Sequence, residues 1–193
     1  MKKIAIDDLQ SNEAYETQRP AFRKAMIEHK NNRRVKLGPN ATLHFEDYMT
    51  MRYQVQELMR VEKISGDDEI REELESYNPL IPDGKNLKVT FMIEYPDEDE
   101  RRQQLARLIG IENNICITVA GQDPVFPIAN EDLERSTDEK TSSVHFLRFE
   151  FPEQAIEAAR NGALWSISCN HENYPYETNL PDNVRSSLVK DFS

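Results

Sequence analysis

The sequence predicts an α+β protein in which an N-terminal helical layer packs on a ferredoxin-like β-α-β-β-α-β unit with an antiparallel sheet. Three observations lead there. Residues 1–84 follow mainly helical periodicity, residues 85–193 alternate strand and helix patterns, and the second region repeats itself. "LKVTFMIEYPDEDERRQQLARLIGIENNICITVAG" passes from an alternating strand, through a Pro-acid start, to a helix ending at Gly110 and a second strand. "SVHFLRFEFPEQAIEAARNGALWSISCN" follows the same course, with Pro152 and Glu153 answering Pro96 and Asp97, and Gly162 answering Gly110. Each segment reads β-α-β, with proline at the helix start and glycine at its end. A chain of 193 residues lets both regions share one compact domain, closed by a C-terminal helix.

In order along the chain, the first helix starts near Ser11 and runs through "NEAYETQRPAFRKAMIEHK", where Pro20 is expected to kink or divide it. "LGPN" is a turn and "ATLHFE" a short strand. The spacing of Tyr48, Met51, Val55, Leu58 and Met59 predicts a helix over 48–64 with one apolar side. Glu62 lands on that side. A carboxylate there must be paired, protonated, bound to a cation, or released to water where the helix end frays. "GDDEIREELESYNPLIP" makes a further short helix that begins near Asp67 and is stopped by Pro79.

Strand alternation assigns faces in the second region. Leu87, Val89, Phe91 and Ile93 point one way, and Lys88, Thr90, Met92 and Glu94 the other. In the next long strand His145, Leu147 and Phe149 share one side, opposite Val144, Phe146, Arg148 and Glu150. That second side is neither plainly apolar nor plainly wet. The helix over 48–64 suits it as a cover, so Glu62 is expected to be ionised and paired with Arg148, with Glu94 or Arg60 completing the network.

Charge is uneven. The formal net charge is −11, yet residues 1–63 hold 12 Lys and Arg against 9 Asp and Glu, while the remainder holds 12 against 26. Nucleic acid is a poor partner for such a surface. Lys30, Arg33, Arg34 and Lys36 in "HKNNRRVK" complement the dipole at a helix C-terminus; holding a phosphate is their other use. No apolar run approaches the roughly 20 residues of a membrane span, and "MKKIAIDDLQ" lacks the apolar stretch of a signal peptide, so the cytoplasm is the expected compartment. Cys116 and Cys169 lie in apolar segments without C-x-x-C and read as inert core thiols. The expected strand order puts them on opposite sheet edges, too far apart to bridge.

No Gly-rich phosphate loop, G-x-S-x-G elbow, H-E-x-x-H or cluster-binding cysteine pattern is present. The one cofactor class with candidate residues is a divalent metal: His44 and Glu46 alternate onto one side of a strand, and His145 or His171 would complete a mixed set for Zn, Mn or Fe(II). The competing reading of His145, beside Leu147 and Phe149, is a core histidine bonded to backbone. The connection from Gly121 to Ser143 is long for two strands and reads as a lid, a contact surface or a tolerated insertion.

"RPAFRKAMIEHKNNRRVKLGPNATLHFE", "QVQELMRVEKI", "ELESYNPLIP" and "TSSVHFLRF" together resemble an uncharacterised bacterial family, domain of unknown function thirty-five-oh-one, over nearly the whole chain. The resemblance implies a setting near rubrerythrin-like proteins and iron-sulfur oxidoreductases, and carries over no catalytic residue. The expected function is a non-catalytic binding or accessory protein serving a redox system, with a redox protein as partner. The alternative is a metal-dependent enzyme using His44, Glu46 and His145. A small-ligand sensor is a third reading, on fold analogy.

Overall fold

The computed structural model describes residues 2–193. Ser11 caps the first helix, α1 (Asn12–Asn31), by accepting from the Ala14 amide. Pro20 does not divide it, and Tyr15 and Met26, on either side of the proline, are both buried. A hairpin follows, β1 (Arg34–Lys36) and β2 (Ala41–Glu46), turning at Gly38. Gly38 has a φ of 67°, and a Cβ there would sit 2.6 Å from the Tyr176 ring, so the turn requires glycine. Asp47 caps α2 (Tyr48–Glu62) through the Thr50 amide. α3 (Asp67–Tyr77) carries acids in its first turn and passes into a 3-10 turn at Asn78–Leu80.

The second region supplies β3 (Asn86–Ile93), α4 (Glu98–Arg107), β4 (Ile115–Val119), β5 (Ile128–Ala129), β6 (Val144–Glu150), α5 (Glu153–Arg160), β7 (Trp165–Cys169), β8 (Glu177–Asn179) and α6 (Asp182–Leu188). All eight strands pair antiparallel, in two sheets ordered β1-β2-β3-β6-β5 and β4-β7-β8. The four strands of the internal repeat therefore do not form the single ferredoxin-like sheet expected from sequence. The reason lies in edge occupancy. β2 has taken the free edge of β3 and β5 that of β6, so β4 and β7 pair with each other. The N-terminal region also contributes two strands as well as helices, and the six-residue β2–β3 ladder joins the expected regions 1–84 and 85–193.

The alternation read from sequence holds in both long strands, where alternate residues of β3 and β6 are buried. Leu43, Val89, Phe91 and Phe149 on the inner face of the larger sheet share one apolar core with Ile117, Trp165 and Ile167 of the smaller. A second, separate apolar cluster holds the helical layer together: Met51, Val55 and Met59 of α2 meet Ile70 and Leu74 of α3, with Ile4 and Ile81.

Cys116 and Cys169 lie on neighbouring strands, not on distant edges, because β4 pairs with β7. Register still keeps them apart. Cys169 faces Ile115 across the ladder and Cys116 faces Ser168, so the two thiols point to opposite faces. Both are free and buried, and burial pushes the Cys169 thiol up.

Glu62 is exposed and does not meet Arg148. α2 ends at Glu62, Lys63 takes a left-handed φ of 59°, and the chain turns away, so the apolar side stops at Met59. The acid that ties helices together is Glu57. It accepts from Arg19 Nε at 2.8 Å and Nη2 at 3.0 Å, and from the Tyr15 hydroxyl at 2.6 Å, and the Arg19 bonds above all hold its pKa down to about 2. Glu62→Gln is expected to change the unfolding free energy by less than about 0.5 kcal/mol in urea titrations. Glu57→Gln, which leaves Tyr15 and Arg19 imperfectly matched, is expected to cost about 1–2 kcal/mol.

Candidate functional site

The outer face of the larger sheet carries its polar residues in rows set by register. His44, Thr90 and Phe146 lie side by side, and next to them Glu46, Lys88 and Arg148. Over these rows hang Met51 and Gln54 of α2, Tyr77 at the end of α3, and Pro79 and Leu80 just after it. The space between is a cleft of about 630 Å³. A second lobe of about 280 Å³ extends toward Lys30, His44, Thr50 and Met92, and Glu46, Gln54, Thr90 and Phe146 border both lobes. The cleft separates the two apolar cores, so neither closes over the polar rows.

Glu46 sits where the lobes meet and is 6% exposed. Its Oε1 accepts from the Thr90 hydroxyl at 2.7 Å, while Oε2 has no partner among the described residues. Lys88, half-buried on the neighbouring strand, makes no hydrogen bond or ion pair among those residues either; burial, and then Arg148, push its pKa down. His44 is half-buried too, and burial lowers its pKa, against the pull of Glu46, so it stands neutral at neutral pH. Arg148 is fully engaged: its Nε and Nη2 fork onto Glu131 at 2.7 Å each, and Nη1 donates to Glu150. The partners expected for Arg148 are thus replaced by Glu131 and Glu150.

The residues expected to hold a metal are split by strand parity. His44 and Glu46 face the cleft, whereas His145 lies on the inner face and is 0% exposed. His145 Nδ1 accepts from the Asn130 amide at 3.1 Å and Nε2 donates to the Ser142 carbonyl at 3.0 Å, with the Thr141 hydroxyl at 2.9 Å. Glu112, joined to this group through Ser136, completes a buried cluster that pins the 121–143 connection to the core. His171 is equally structural, with Nε2 on the Ile109 carbonyl at 3.1 Å and Nδ1 accepting from the Asn173 amide. Among the described residues no three His, Cys, Asp or Glu side chains gather as a metal-holding group.

The 121–143 connection brings Glu131 and Asp132 to the cleft wall and leaves Phe126, Ile128 and Leu133 about half exposed. In the basic segment, Arg33 is buried and bonded, whereas Arg34 and Lys36 project from β1 into water. Sequence reasoning missed Lys88, Thr90 and Gln54 as site residues. The available signal was the mixed outer face of β3 and β6; what aligns Glu46 with Lys88 is a pairing between segments 42 residues apart.

A family model described as "Protein of unknown function (DUF3501)" matches residues 3–192. Among solved structures, a crystal structure titled a novel protein of unknown function, from Burkholderia pseudomallei K96243, is similar at 44% identity with a TM-score of 0.94, covering 100% of each chain. No curated protein matches. Among the described residues no helix is long and apolar enough to cross a membrane.

Proposed function

Because the chain belongs to the family Protein of unknown function (DUF3501), we propose its role from its own cleft: a non-catalytic binding protein that seats a small ligand between sheet and helices, accessory to a redox system. The observation that carries the ligand half is Glu46, a buried acid with one unpartnered oxygen in a cleft that divides two apolar cores. A cleft of this size, largely apolar with a few convergent polar groups, has the make-up of a small-molecule site. The redox half rests on the setting that the family resemblance implies, with the exposed Phe126, Ile128 and Leu133 as the contact surface. A metal-dependent enzyme remains the second reading, reduced to His44 and Glu46 on the chain's own cleft face.

An environment-sensitive, uncharged apolar dye, N-phenyl-1-naphthylamine, is expected to brighten saturably with the native protein and to lose that response in Gln54→Trp, which fills the junction of the lobes. An unaltered response in Gln54→Trp sinks the cleft as the seat. For the partner, pull-downs from the native host are expected to recover a rubrerythrin-like or iron-sulfur protein, and to lose it in Phe126→Ser with Leu133→Ser. Repeated recovery of no redox protein counts against the accessory role. Deleting 131–140 is the poorer test, because Glu131 holds Arg148 and Ser136 holds Glu112.

A further inference from the structure

We propose that the cleft takes a zwitterion with an apolar side chain, an α-amino acid of the leucine or phenylalanine type, its ammonium on Glu46 and its carboxylate on Lys88. This rests on the reading of the cleft as a ligand seat and adds the head-group chemistry. Glu46 and Lys88 are direct partners on neighbouring antiparallel strands, and their side chains share one face. In that geometry opposite charges ordinarily meet. Here they do not: Glu46 is held back by Thr90, and neither residue forms an ion pair among the described residues.

Two unlike charges, both withdrawn from bulk water and open to the same cavity, select their occupant by what each rejects. A simple anion satisfies Lys88 and is repelled by Glu46. A simple amine satisfies Glu46 and is repelled by Lys88. A ligand carrying both charges one carbon apart answers both, and replaces the pair that the side chains fail to make with each other. The nearby Arg148 is already saturated by Glu131 and Glu150. Beyond the head group, Met51, Leu80 and Phe146 line the wider lobe and offer an apolar seat for the ligand side chain.

The test is calorimetric titration of the full chain with L-phenylalanine, phenethylamine and 3-phenylpropanoate. L-Phenylalanine is expected to bind at least about 10-fold more tightly than either single-charge analogue. Glu46→Gln, which keeps the Thr90 bond, should weaken phenylalanine about 10-fold or more and leave phenylpropanoate unchanged or tighter; Lys88→Met should do the reverse for phenethylamine. Phenylalanine binding no better than its analogues, or indifferent to both substitutions, overturns the assignment. If no amino acid binds while the dye still responds and Gln54→Trp removes that response, the head-group assignment fails and the cleft reading stands. If the dye is also indifferent, both fail.

Discussion

Arg33→Met is expected to lower the unfolding free energy by about 3–5 kcal/mol near neutral pH, measured by urea titration. The Arg33 side chain is 2% exposed and spends its donors on five groups. Nε donates to the Phe45 carbonyl at 2.9 Å and lies 3.3 Å from Asp47; Nη2 donates to the Glu46 carbonyl at 3.1 Å and to Asp191; Nη1 reaches Ser187 at 3.3 Å. Methionine matches the stem but leaves the buried Asp191 carboxyl without its donor and takes one donor from each of two carbonyls. Asp47 also receives His29 at 2.7 Å and caps α2, so the damage spreads into the helical layer.

The loss should depend on pH. Burial lifts the Asp191 carboxyl to about 6 even against the pull of Arg33. A raised pKa means that the folded state holds this proton more tightly than the unfolded chain. The contribution is full below the unfolded value of 3.8 and is lost as pH rises through about 6. Without Arg33 the Asp191 value climbs further, so Arg33→Met should be less damaging near pH 5 than near pH 7. An equal loss at both would mean that Asp191 does not carry the effect.

Trp165→Ala is expected to cost about 3–5 kcal/mol, and Trp165→Phe only about 1–2 kcal/mol. The indole is 1% exposed, with ring centres 6.2 Å from Phe151 and 6.0 Å from Phe192. Its Nε1 has no acceptor, so phenylalanine gives up volume but no hydrogen bond. Trp165 is the chain's one tryptophan, so unfolding of the variants must be followed by circular dichroism. Equal losses for Ala and Phe would show that the N–H, not the packing, matters.

Local chemistry made much of the fold legible. The start at Ser11, the apolar stripe from Tyr48 to Met59, the glycines at 110 and 162, and the two-residue alternation of β3 and β6 act over a few residues, and each placed its element within about three residues. The partners of strands were not legible, because nothing within "ATLHFE" states that it outcompetes "WSISC" for the edge of β3. That one choice turned a single sheet into two. The same limit governed the site. His44 and Glu46 sharing a face follows from parity within β2, whereas setting Lys88 opposite Glu46 and His145 on the reverse side needs the register between strands.

The Arg33–Asp191 pair joins positions 158 residues apart in sequence, and Phe192 closes the ring cluster at Trp165. During ribosomal synthesis, then, the hairpin of β1 and β2 emerges early with a guanidinium that has no final carboxylate to meet. Chains grow at about 5–20 residues per second, so this arginine waits on the order of ten seconds or more for its partner. Until residues 191–192 leave the exit tunnel the nascent chain carries an unfinished core, and β2 presents an open edge until β3 arrives. That interval is where a chaperone that shields strand edges would act, and where slowing translation late in the message would expose the chain to aggregation.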